Sequence, residues 1–261
     1  MEAAQIKITT CTVKWLAPIL LAACLTGLWQ WAIRYQAATI IPGPWAVVKG
    51  IAELARNGLL FQYVVASLFR VTWGYLLAVV TAIPIGLHLG WHRRAAMALN
   101  PPLQMLRPIS PLAWIPLAIL WFGVGDLAAI FLIFLASFLP LTVSAMNAVG
   151  SIPAIYLDAG RNFGLSPNQV VYKVLYPAVM PQLIVGLRLA FGIAWLVVVA
   201  AEMVAVNSGL GFLIIDARNA GNRYDLVIAG MLLIGVIGFA FDAAFRRLER
   251  LPALRWGYES L

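Results

Sequence analysis

Charge is scarce in this 261-residue chain, with 10 Asp and Glu against 18 Lys and Arg, so each ionisable group inside an apolar stretch is a candidate for chemistry. Glu202 stands within the run from Ala178 to Val206, and Arg107 stands at the head of the run from Pro108 to Gly125. A carboxylate in an apolar surround pairs with a cation or faces a cavity, so Glu202 is read as a gate residue or a structural pairing residue. Arg188 shares its run but lies roughly 21 Å away along a helix, too far to be that partner. Arg107 either snorkels to the headgroups or attracts an anion. Behind it come Pro108, Pro111, Trp114 and Pro116. Prolines free backbone carbonyls, which are tolerated where they face protein or a cavity, so these residues could line a pathway.

Other chemistries find no support. His88 and His92 have no Cys or carboxylate cluster beside them, so no metal site is expected. His88 lies between Gly86 and Gly90, a spacing that suits close helix packing. No Ser/His or paired-Asp constellation falls in the apolar runs, and no Gly-x-x-x-x-Gly-Lys-Ser/Thr phosphate loop occurs, so the chain is expected to be no enzyme and to hold no cofactor. Cys11 and Cys24 make no disulfide framework.

The composition says what must position these groups. The chain is 63% hydrophobic and 11% charged with a mean hydropathy of +0.91, against about a quarter charged in a soluble domain. It is an integral membrane protein, and its pI of 9.9 is the basic excess of cytoplasmic edges rather than a nucleic-acid footprint. About six spans are expected in an all-α polytopic helical bundle. They are Trp15 to Ile33, Val71 to Trp91, Pro108 to Gly125, Leu127 to Val149, Ala178 to Val206 and Leu226 to Phe245. The first is longer than a signal-peptide core and is expected to stay in the mature chain. Lys7, Lys14, Arg93, Arg94, Arg161, Lys173, Arg246, Arg247, Arg250 and Arg255 fall on one side, and Arg34, Lys49, Arg56, Arg218 and Arg223 on the other. That bias places both termini in the cytoplasm.

Two connections exceed a turn. Outside, Trp45 to Leu60 is amphipathic, with Val47, Val48, Ile51, Leu54 and Ala55 at helical spacing, and is expected to lie along the membrane surface. Inside, Gly150 to Tyr176 predicts a knuckle. Ser151 caps a short helix with Pro153 in its first turn, Gly164 stops it in the left-handed conformation, and Ser166-Pro167-Asn168-Gln169 opens a second helix with a capping box. Pro177 is expected to end that second helix.

The inner loop resembles the EAA loop of ATP-binding-cassette importer permeases. Asp158-Ala159-Gly160, three residues, Gly164, nine residues and Val174-Leu175-Tyr176-Pro177 keep its spacing, with Asp158 for Glu, Gly160 for Ala, and Val174 and Tyr176 also substituted. The stretch from Leu106 to Gly123 is similar to the third span of the branch for nitrate, bicarbonate, taurine and alkanesulfonates. Ser67-Leu68-x-Arg70-Val71, Ala201-Glu202-Met203 and Gly209-Leu210-Gly211 extend the likeness over roughly residues 40 to 245.

The resemblance implies a permease subunit of the bacterial inner membrane that works by alternating access. Its partners would be a second permease copy in a homodimer, two cytoplasmic ATPase subunits that bind ATP and Mg, and a periplasmic or lipid-anchored substrate-binding protein. Asp158, Ala159, Gly160, Arg161, Gly164 and Pro177 would couple to the ATPase, and the solute would be a small anion or sulfonate. Residues 1–62 are then expected to form an N-terminal span and an outer amphipathic segment, 63–245 the permease core with its cytoplasmic coupling loop at 150–177, and 246–261 a cytoplasmic tail. An ion-coupled secondary transporter, which should show internal repeats that are not seen, and a structural membrane subunit are the rival readings.

Overall fold

The computed structural model describes residues 20–33, 41–219 and 221–249, and every described regular element is helical. Lys7, Cys11, Lys14, the start of the first expected span, Arg34 and the tail from 250 lie outside the described residues. Helix α1 spans Leu20–Ile33. Next come α2, Pro44–Arg56; α3, Leu59–Trp91; and α4, Arg93–Leu106. A 3₁₀ turn at Pro111–Trp114 leads into α5, Ile115–Phe122, and then α6, Asp126–Gly150. The inner loop holds α7, Ala154–Asn162, and α8, Pro167–Val170. Last come α9, Tyr176–Ala205; α10, Leu210–Asn219; and α11, Tyr224–Glu249.

Four helices are long and apolar enough to cross a bilayer: α3, α6, the continuous Pro167–Ala205 rod that contains α9, and α11. The third expected span is not one helix. Its α5 is only about 12 Å long against about 30 Å of hydrocarbon, and α4 meets the Pro111–Phe122 segment at 83°. Pro108, Pro111 and Pro116 explain the break, because each lacks a backbone N–H, and Ser110 accepts from the Leu112 N–H to start the 3₁₀ turn. Counting that bent pair once gives five spans, with Leu20–Ile33 as a shorter apolar helix, so six is approximate. Span two also starts earlier than expected: α3 runs 33 residues from Leu59, and Arg70 lies inside it.

The bundle is built on α3, α6 and α9. Val71, Leu132, Ile133, Ala136, Ala194, Val198 and Ala201 are buried between them. Small residues let the backbones close. A Cβ on Gly74, Gly86 or Gly90 of α3 would come within 2.7, 2.5 or 2.6 Å of α6 atoms, so the spacing around His88 is a packing face, as expected. The Tyr75 hydroxyl donates to the Leu187 carbonyl at 2.9 Å and joins α3 to α9. Helix α11 is held more loosely, by the Trp195 indole N–H on the Ile234 carbonyl at 3.1 Å and by Arg188 on Asp242 at 2.7 Å. Helix α2 buries Val47, Gly50 and Leu54. Its inward face packs on α11 and α3, so the amphipathic segment, expected along the membrane surface, rests on protein.

Candidate functional site

The loop after α9 explains Glu202. Gly209 sits at φ +107°, and the backbone turns back so that α10 begins directly over the carboxylate. The Gly211 N–H donates to Glu202 Oε2 at 2.9 Å, while the Leu210 N–H donates to Ser67 Oγ at 2.9 Å. The Ser67 hydroxyl in turn donates to Glu202 Oε2 at 2.8 Å. The free donors at the start of α10 are thus satisfied by an acid and a hydroxyl from two other helices. Arg70, one turn along α3 from Ser67, donates from Nη1 to Glu202 Oε1 at 2.7 Å. It also donates to the Ser208 carbonyl at 2.7 Å, to Ser208 Oγ, and from Nε to Asp126 Oδ1 at 2.8 Å.

Glu202 is 0% exposed and Arg70 3% exposed. The charges are therefore matched inside the bundle, where an unpaired one would be costly. Asp126 belongs to the first turn of α6, a favoured place for an acid. Beside it the Gly125 N–H donates to the Ala205 carbonyl at 2.9 Å, which ties the α5–α6 link to the end of α9. Sequence reasoning misses Ser67 and Arg70 as partners of Glu202, and Asp126 and Ser208 as partners of Arg70, because the second expected span begins at Val71 and leaves Arg70 just outside it. Ser67 and Arg70 at i and i+3 on one helix face are the signal that could have found them.

The other expected pathway residues lie elsewhere. Arg107, Pro111 and Trp114 line one cleft of about 200 Å³ together with Leu135, Pro140 and Ile193. Pro108 lies exposed in the turn and Pro116 exposed in the first turn of α5. Glu202 is not among the residues of this cleft. Arg188, the charge that sequence spacing kept apart from Glu202, pairs instead with Asp242 at 2.7 Å and Glu249 at 3.1 Å.

The inner knuckle forms around Gly164, whose φ is +75°. The Gly164 N–H donates to the Arg161 carbonyl at 2.9 Å and the Leu165 N–H to the Gly160 carbonyl at 3.2 Å, the paired bonds of a Schellman stop. Ser166 and Gln169 complete a reciprocal capping box. Gly160 is buried, and a Cβ there would stand 3.2 Å from Val174 Cγ2, so a residue without a side chain lets α7 close on the following helix. Asp158 and Arg161 form an exposed ion pair at 3.2 Å, and Ala159 is half-buried beside them.

Two expectations about this loop fail. Ser151 does not cap α7, which starts after Pro153 without a side-chain cap. Its hydroxyl lies 2.9 Å from the Ala148 carbonyl and 2.8 Å from Gln182 Oε1, closing α6 against α9 instead. Pro177 does not end the second helix. The chain widens into a π turn at Val171–Leu175, the Tyr176 N–H reaches the Val171 carbonyl, and the rod continues into α9. The wider turn absorbs the donor that proline lacks. A cleft of about 540 Å³ opens between α7 and the start of α9, lined by Ser151, Tyr156, Lys173, Pro177 and Gln182.

Comparison with known proteins gives the family. The binding-protein-dependent transport system inner membrane component family matches residues 74–252. The putative aliphatic sulfonates transport permease of Bacillus subtilis is 35% identical over 93% of this chain and 88% of its own length. The taurine transport system permease of Escherichia coli is 34% identical over 88% and 86%, and the nitrate import permease of Leptolyngbya laminosa 38% over 70% and 66%. The MetNI methionine ABC transporter in an inward-facing conformation gives a TM-score of 0.65 at 20% identity over 74% of this chain and 95% of that one, a likeness of fold. The chain belongs to the binding-protein-dependent permease family. It is the membrane permease of an ABC importer, a transport subunit and not an enzyme, and ATP hydrolysis belongs to the partner ATPase.

Proposed function

We propose that this permease imports a small oxyanion, a sulfonate or nitrate, as a homodimer whose inner loops each dock on one of two cytoplasmic ATPase subunits that bind ATP and Mg. The observation that carries the docking reading is the knuckle itself. Its two helices are fixed by a Schellman stop and a capping box, yet Phe163 at the stop is 86% exposed and Ile155 and Tyr172 are exposed beside it. Large apolar side chains held rigidly in water mark an interaction surface. Asp158, Ala159, Gly160, Arg161 and Gly164 shape that surface, and Pro177 joins it to α9. The substrate reading is supported by the sulfonate, taurine and nitrate relatives and by the basic character of the segment between Glu53 and Asp126. The Lys and Arg distribution supports both termini, like the knuckle, on the cytoplasmic side, with a binding protein delivering substrate to the opposite face.

The test is uptake of radiolabelled methanesulfonate and nitrate into proteoliposomes that hold the permease, its ATPase and its binding protein. Import that requires enclosed ATP is expected. Import driven by a proton or sodium gradient without ATP would favour a secondary transporter. Orientation is read separately, in a background lacking Cys11 and Cys24: Asn57→Cys should label with an impermeant thiol reagent from outside, and Asn168→Cys only from inside.

A further inference from the structure

Three arginines, Arg70, Arg107 and Arg188, stand within or at the head of apolar stretches, and two of them are neutralised. Arg70 is held by Glu202 and Asp126, and Arg188 by Asp242 and Glu249. Among the described residues no carboxylate pairs with Arg107. Leu135 and Pro140, which line its cleft, fall near the midpoint of α6, and Ile193 falls near the midpoint of α9. The elbow between α4 and the 3₁₀ turn therefore carries Arg107 to mid-depth.

The surroundings are arranged for an anion. No Asp or Glu is among the residues that line the cleft, and Arg107 is the charged residue there. The cleft is too small for a drug-sized ligand, which occupies about 300 Å³ or more, and suits an ion of a few heavy atoms. Its remaining lining side chains are apolar or aromatic, among them Trp114, Pro111 and Pro140.

We propose that this cleft is an oxyanion site in the permease itself, with Arg107 the specificity-determining contact for sulfonates and nitrate; the proposal rests on the oxyanion reading above. The planar guanidinium takes two oxygens of the anion in parallel hydrogen bonds, and Trp114 bears on the remaining face or the short alkyl group. Arg107 is exposed to the cleft, which keeps the affinity low enough for the ion to leave, as a pathway site requires. Selection by charge then occurs a second time after the binding protein has released its cargo.

Uptake of methanesulfonate and nitrate by the complete transporter in proteoliposomes tests the site, with wild type, Arg107→Gln, Arg107→Lys and Arg107→Cys compared at equal amounts of assembled complex. Loss of one charge-assisted hydrogen-bonding group should lower uptake by Arg107→Gln at least about ten-fold, with Arg107→Lys, which keeps the charge but not the two-pronged contact, falling between Gln and wild type. In the background lacking Cys11 and Cys24, an aminoethyl thiosulfonate that places an ammonium on Arg107→Cys should restore uptake, and a sulfonatoethyl reagent should not. Wild-type uptake by Arg107→Gln, or equal loss in the Gln and Lys variants with no rescue by the cationic reagent, would overturn the site while leaving the oxyanion reading standing. An assembled wild type that imports neither anion would overturn both.

Discussion

Glu202 and Arg70 meet at 2.7 Å although they lie 132 positions apart in the chain, and both side chains are buried in the bundle. A carboxylate at the end of α9 and a guanidinium within α3 together hold the start of α10, through Gly211 on one side and Ser208 on the other. The charge once read as a possible gate is thus the centre of a three-helix latch.

Removing one member of that pair leaves its partner buried without a counter-charge. Glu202→Leu and Arg70→Leu should each lower stability by about 3–5 kcal/mol. The double variant should lose clearly less than the sum, because neither orphaned charge remains. Thermal unfolding of the four proteins in one detergent reads the cycle. Strict additivity would mean that the pair does not interact.

Gly209→Ala attacks the same latch from the backbone. A Cβ there would collide with the Glu202 carboxyl, at a φ of +107° that side chains rarely adopt. Destabilisation of about 2 kcal/mol or more is expected from strain and crowding combined. Gly123→Ala is a comparison, since its φ is +76° with open space around it. The melting temperature should fall further for Gly209→Ala; equal falls would show that only the backbone angle matters.

Gly164→Val separates knuckle geometry from packing. No atom lies within 4 Å of a Cβ at that position, so its cost is the left-handed backbone alone, about 1–2 kcal/mol. The spans should insert normally while ATPase capture and transport fall. Asp158→Ala should be milder, because its ion pair with Arg161 is exposed and such pairs contribute about 0–1 kcal/mol. Crosslinking from Arg161→Cys to the ATPase, scored beside membrane abundance, checks both. Full crosslinking with full uptake in Gly164→Val would remove the knuckle from the coupling path.

Outside the spans, Arg223 joins α2 to the head of α11 by bonding Glu53 at 2.7 Å and Asp225 at 2.9 Å. The hydrogen bond from Arg223, reinforced by its charge, holds the Glu53 carboxyl below the usual carboxylate range. A lowered folded-state value means stability that is present above the unfolded value of about 4.3 and lost as pH falls through the folded one. Wild type should therefore melt above Glu53→Gln at pH 7, and the gap should close below about pH 4. A gap unchanged across that range would show that the clamp does not titrate.

The helical class, the membrane setting and the knuckle were legible because each rests on local chemistry. Apolar composition fixes the solvent, Gly164 fixes a left-handed stop, and Ser166 with Gln169 fixes a cap. What escaped depends on contacts distant in sequence or on competing local choices. Arg70 looked like a span boundary because hydropathy treats any charge as an edge, whereas a paired charge continues the helix. Ser151 had two possible uses, and the nearby Ala148 carbonyl with Gln182 won over the cap. Pro177 reads as a stop in any α-helix, but a π turn ahead of it changes the register and lets the rod go on.

The glycine seam between α3 and α6 has a mechanical consequence. Gly74, Gly86 and Gly90 bring one backbone onto the other with no long side chains between them to change rotamer, and the Tyr75 bond secures α9 to the same unit. Close-packed interiors transmit displacement instead of absorbing it. These three helices are therefore expected to move as one unit, with hinge motion falling on the proline-broken elbow, whose α4 buries no residue, and on α11, which buries only Ala229 and Gly230.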